Sequence, residues 1–177
     1  SESALKKGHT VFNDLIFGYG HDSLLTNKVK KEMYVKNVEN NLFFLFKHYK
    51  KVNLVGFSTG GLLITNFIEE HPEYQNQIGN IQLVSPYYFP FISIAPTFGK
   101  ILRLFVENVP VSTFYKISSY PDVEVILLEK NNYLQSIPVN AAIEIDTLAK
   151  EFQQKATPKD LLKNIDIYLT ENDQVLS

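Results

Sequence analysis

The chain has 177 residues, a formal net charge of −2, 45% hydrophobic and 20% charged residues, which fits one globular domain with a real core and excludes a disordered chain. There is no basic excess or acidic run to suit nucleic acid, and no run of about 18 uncharged apolar residues to span a membrane. With no cysteine, disulfides, thiol catalysis and cysteine-ligated zinc are excluded, and a reducing, cytoplasmic setting is expected.

The chain opens on Ser-Glu-Ser-Ala-Leu-Lys-Lys-Gly, which reads as the end of a helix with Gly8 at its C-cap. It does not read as a natural start: there is no initiator Met and no signal peptide to read, and a leader would lie before Ser1 or have been removed. Thr10 to Phe17 is a strand candidate, followed by a turn-rich loop, Gly18-Tyr-Gly-His-Asp-Ser23. A long helix is expected from about Asn27 to Lys50, with Met33, Val35, Val38, Leu42, Leu45 and Phe46 as its apolar stripe.

Residues 52–61 read Val-Asn-Leu-Val-Gly-Phe-Ser-Thr-Gly-Gly. They contain the pattern G-x-S-x-G with Ser58 at its centre. The pattern alone is weak; its context makes it specific. A strand-length apolar run, Val52 to Phe57, precedes it. Leu62, Leu63, Ile64, Phe67 and Ile68 follow at helical spacing. A serine at a sharp strand-to-helix turn is held in a strained conformation with its hydroxyl pushed out at the sheet edge. Gly56 and Gly60 would let strand and helix approach closely. The helix N-terminus places backbone N–H groups beside the hydroxyl, with Thr59 the natural first donor to an oxyanion. The bland reading is an ordinary strand–glycine turn–helix junction.

The helix after Ser58 should run to about Glu70 and stop near His71-Pro72. Ile81 to Val84 reads as a strand ending at Ser85-Pro86, and Ile165 to Leu169 as another. About 80 residues (85–164) separate these two strands, more than a crossover needs. That segment is rich in aromatics and broken by prolines, and residues 87–137 read as an inserted cap. Asn140 to Gln153 reads as a surface helix. The expected organisation is a core over 1–86 and 138–177, interrupted by the cap. Strands alternating with helices imply an α/β fold with a mostly parallel sheet and helices on both faces.

A nucleophilic serine needs a base, and the base an orienting carboxylate, in chain order Ser, acid, His. Asp173 follows the strand Ile165–Leu169 at the correct edge. Glu171 competes, while Asp166 lies within the strand. His9 begins a strand, and His48 and His71 read as solvated residues near helix ends. His21, in the glycine loop, is the one histidine expected near the active edge.

Three segments resemble the α/β-hydrolases, nearest the carboxylesterase and monoacylglycerol lipase branch with a small helical cap. They are Phe17-Gly-Tyr-Gly-His-Asp-Ser23, Gly56-Phe-Ser-Thr-Gly60-Gly61, and Ile165-Asp-Ile-Tyr-Leu-Thr-Glu-Asn-Asp173-Gln-Val. The resemblance implies serine ester hydrolysis, with Ser58 and Asp173 in the triad, the Thr59 amide in the oxyanion hole and Gly56 and Gly60 shaping the turn. It implies no cofactor and no metal, and a small apolar ester as substrate. Thioesterase, acyltransferase, amidase or C–C hydrolase chemistry on the same triad is the alternative, as is a non-catalytic binding member. On this alignment the family's His-Gly loop precedes Ser1, and its catalytic His lies roughly 25–30 residues beyond Asp173. The chain is therefore expected to be a middle piece of a longer protein.

Overall fold

The computed structural model describes residues 6, 8, 10–13, 28–88, 108–110, 136–155 and 165–169. A three-stranded parallel sheet organises them. Strand β1 is Val52–Phe57, β2 is Ile78–Val84 and β5 is Ile165–Tyr168, in the order β1-β2-β5. Helix α1 (Lys31–His48) precedes β1, and helix α2 (Thr59–Glu70) with a 3₁₀ turn (Pro72–Gln77) joins β1 to β2. Two short strands, β3 (Asn108–Pro110) and β4 (Ser136–Pro138), pair antiparallel ahead of α3 (Val139–Gln154). The α/β class with a parallel sheet is as expected.

Leu54 and Gly56 of β1 face the same side as Ile81 and Leu83 of β2, and α2 lies on them. Leu42 and Phe46 of α1 close this core with Ile64, Phe67 and Ile68 of α2. Gly61 to Ile68 are buried without a break, because α2 is sandwiched between the sheet and the other two helices. Its outer side meets Tyr34 of α1 and Ala141, Ile145 and Leu148 of α3. These helices all cover one face of the sheet. On the other face Val55 is 68% and Phe57 70% exposed. The helical layer expected there lies outside the described residues.

Helix α1 is shorter than its apolar stripe predicts. Lys30 is extended (φ −112°, ψ 154°) and offers no side-chain cap. A neighbouring helix supplies the missing partners. The Lys31 N–H donates to Glu144 Oε2 at 2.8 Å, and Asn140 Nδ2 donates to the Val29 carbonyl at 2.7 Å. The helix phase also differs by one position. Tyr34 is buried, whereas Met33 is 39% exposed.

Strand β2 starts at Ile78, three residues earlier than its apolar run suggests. The register shifts between Val52 and Leu54, and Asn53 bridges the gap: its Oδ1 accepts the Asn80 N–H at 2.9 Å. A Cβ on Gly79 would overlap that Asn53 side chain. Gly79 and Asn53 here let a side chain replace a ladder rung.

Helix α3 is not a surface helix on all sides, since Ala141, Ile145, Leu148 and Ala149 are buried against α1 and α2. Gly8 has φ 78°, as a C-cap requires. Residues 10–13 of the expected first strand carry no strand pairing, and Phe12 is half exposed; its remaining residues, and most of the expected cap, lie outside the described residues. Among the described residues no helix is long and apolar enough to cross a membrane.

Candidate active site at the sheet edge

Ser58 stands between the last residue of β1 and the first of α2. Its backbone is at φ 49°, ψ −117°, a region that non-glycine residues enter only where their surroundings enforce it, at about 1–3 kcal/mol. The enforcement is visible. The Ser58 N–H donates to the Val84 carbonyl at 3.0 Å, and the Ser58 carbonyl accepts the N–H groups of Gly61 (2.9 Å), Leu62 (3.4 Å) and Tyr87 (3.0 Å).

Serine at a helix N-cap ordinarily turns its hydroxyl back onto an amide of the first turn. Ser58 makes no such side-chain bond. Ser58 is half-buried at the C-terminal edge of the sheet, and its hydroxyl is not committed to capping the helix. Thr59 opens α2, so its N–H is among the amides that have no acceptor within the helix. The positive end of the helix dipole adds to the same side. A serine oxygen and a backbone donor thus lie side by side at a strand–helix junction, which suits acyl transfer.

The close approach of strand and helix falls on Gly56 and Gly61. A Cβ on Gly56 would lie 2.7 Å from the Gly61 Cα, and one on Gly61 would lie 2.7 Å from the Pro86 Cβ. Gly60, expected to serve this purpose, would meet nothing within 4 Å. The sequence does contain the signal, in the pair Gly60-Gly61, but helix phase chooses the second glycine to face the strand.

The strands are parallel, so β5 ends at the same edge as Ser58. Tyr168 is in register with Val84, and its carbonyl accepts the Ser85 N–H at 2.9 Å. Asp173 and Glu171, beyond that strand, lie outside the described residues, as do His9 and His21. The two remaining histidines are not at this edge. His71 ends the 12-residue helix α2, roughly 18 Å from Ser58 at 1.5 Å per residue. It is not simply solvated: Nε2 meets Glu39 Oε1 at 3.1 Å, and the ring packs edge-on against Phe43. His48 ends α1 before β1 begins, at the opposite sheet edge, with Nδ1 2.7 Å from the Phe44 carbonyl.

A concavity of about 420 Å³ runs between α1, α2 and α3. Its charges are largely matched in pairs, Lys31 with Glu151, Lys155 with Glu70, and Lys36 with Glu39 at 3.6 Å. It is a charged helix seam rather than a pocket for a ligand.

No family model matches the chain, and no curated protein matches it. Solved structures do. A structure described with the metagenome-derived lipolytic enzymes LipS and LipT superposes with a TM-score of 0.67 at 12% identity, over 96% of this chain and 75% of that one. The monoacylglycerol lipase of Paleococcus ferrophilus superposes with a TM-score of 0.51 at 13% identity, over 79% of this chain and 65% of that one. The fold is therefore that of the α/β-hydrolases, and the chain spans about two thirds to three quarters of these structures.

Proposed function

We propose that the protein is a serine hydrolase that cleaves carboxylic esters of lipophilic acyl groups. The observation that carries this is the backbone of Ser58: φ 49°, ψ −117° at a strand–helix junction, with no capping bond from its hydroxyl. Backbone strain at a strand–helix junction supports a nucleophile at this position.

In this reading the Ser58 Oγ attacks the acyl carbonyl carbon, and a general base takes the hydroxyl proton. The carbonyl oxygen becomes an oxyanion held by the Thr59 N–H. Collapse breaks the ester C–O bond. The alcohol leaves with the proton, and the acyl group stays on Ser58. Water then attacks the acyl-serine by the same route in reverse, releasing the acid. Asp173 orients the base and stabilises its charged form. His48 and His71 do not serve as the base, because they lie at the far edge of the sheet. No metal or organic cofactor enters the scheme. The preference for apolar esters is supported by the aromatic-rich stretch 87–137 and by the lipolytic neighbours.

The test is an intact mass of the protein, at its full natural length, before and after a fluorophosphonate probe. One adduct mapping to Ser58, with hydrolysis of p-nitrophenyl esters exceeding that of acyl-thioesters, is the expected result. No adduct overturns the hydrolase reading. An adduct with preferred thioester cleavage replaces the esterase by a thioesterase.

A further inference from the structure

We infer that Ser85 is a positioning residue for Ser58, acting through a second strained turn that clamps the nucleophile's backbone; this rests on the hydrolase reading above. Among the described residues, Ser58 and Ser85 are the two non-glycine positions with positive φ, 49° and 42°. They stand at equivalent places. Phe57 and Val84 are register partners in adjacent parallel strands, and each serine is the next residue along. Ser85 also precedes Pro86, which further narrows the conformations open to it.

The two turns are interlocked through Ser58. Val84, on one side of Ser85, accepts the Ser58 N–H at 3.0 Å. Tyr87, two residues past Ser85, donates its N–H to the Ser58 carbonyl at 3.0 Å. Both main-chain polar groups of Ser58 are thus held by the segment that Ser85 bends. The bend itself is anchored, because the Ser85 N–H donates to Tyr168. Pro86 is fully buried and lies against Gly61. The left-handed turn at residue 85 is what takes the chain out of the sheet and across the start of α2. An extended residue there would carry Pro86 and Tyr87 onward along β2 and away from Ser58.

Ser85 in this role touches no reacting atom. A side chain at a positive φ favours few backbone states, so it keeps the turn stiff at some cost in stability. Glycine would occupy the same turn without strain but with greater freedom. Stability and reactivity are therefore expected to part company on substitution.

The experiment compares the unsubstituted protein with Ser85→Gly and Ser85→Asn, asparagine being the side-chain-bearing residue most at ease at positive φ. Three readouts are taken: the melting temperature, the rate of fluorophosphonate labelling at Ser58, and hydrogen exchange at the Ser58 and Tyr87 amides. Ser85→Gly is expected to melt at or above the parental temperature, to label about tenfold more slowly, and to exchange faster at those two amides. Ser85→Asn should restore labelling to within about twofold. Parental labelling in Ser85→Gly overturns the inference. So does a parallel fall of melting temperature and labelling in both variants, which marks a merely structural residue. If the unsubstituted protein is not labelled at Ser58, the hydrolase reading fails and the positioning role fails with it. Exchange at the two amides then still reports whether the clamp exists.

Discussion

Gly56 and Gly61 approach so closely that a Cβ on the first would sit 2.7 Å from the Cα and 2.8 Å from the amide nitrogen of the second. Both obstacles are backbone, so neither can turn aside. Gly56→Ala must push β1 away from α2 and is expected to cost about 3 kcal/mol or more. Gly61→Ala meets the ring of buried Pro86 and is expected to cost about 1–3 kcal/mol. Gly60→Ala meets open space within a helix and should stabilise by about 0.5–1 kcal/mol. Urea unfolding of the three variants checks this order. Equal losses at Gly60 and Gly61 would mean that the helix phase is misassigned.

Those three glycines also mark how far the sequence could be read. G-x-S-x-G between an apolar run and a helical pattern located Ser58, because strand, turn and helix each leave a periodic trace. Choosing between Gly60 and Gly61 needs the rotation of α2 against β1, a tertiary quantity with no local signature. The same holds one turn further out, where Tyr34 rather than Met33 enters the core. Ser85 was legible only as the end of a strand, since serine ordinarily avoids positive φ and nothing in the sequence announces the exception. The start of β2 escapes the sequence for a related reason: the expected strand begins at Ile81, whereas Gly79 and Asn80 extend it back to Ile78 through the Asn53 side chain.

The acid of the site is open to a direct comparison. If Asp173 is the acid of the proposed mechanism, Asp173→Asn is expected to lower kcat by about 10³–10⁴-fold while leaving the unfolding midpoint nearly unchanged, because the loss falls on charge stabilisation of the base. Glu171→Gln should be close to neutral. Steady-state ester hydrolysis with the two variants decides between the carboxylates, and a reversal of the two effects would transfer the role to Glu171.

Asn140 holds the chain just before α1. Its Nδ2 donates to the Val29 carbonyl at 2.7 Å, and both residues are buried. Asn140→Ala leaves that carbonyl without its donor and is expected to cost about 1–3 kcal/mol. Glu144→Gln keeps an oxygen that can accept the Lys31 N–H, and should cost less, about 0.5–1 kcal/mol through the lost charge at the helix N-terminus. Denaturant midpoints measured side by side test the ranking. A neutral Asn140→Ala would mean that water replaces the amide.

Tyr88 gives the fold a dependence on alkaline pH. Burial holds its phenol above the ordinary value of 10.0, a hydrogen bond with the Thr65 side chain opposes this, and the Glu69 carboxylate adds to it. The ring also stacks on Phe152, with centroids 5.4 Å apart. The folded state therefore binds this proton more tightly than the unfolded state. The sign follows: the contribution is fully present below the unfolded value near 10.0 and is lost as pH rises through the higher folded value. Stability should decline above about pH 10. Tyr88→Phe keeps the stacking and removes the titration, so it should flatten part of that decline. At neutral pH it should cost only about 1 kcal/mol for the bond with Thr65. Urea midpoints for both proteins from about pH 8 to pH 11 separate this residue from the lysines and other tyrosines, which titrate alike in the two. Parallel curves would mean that the Tyr88 phenol ionises as freely in the folded chain as in the unfolded one.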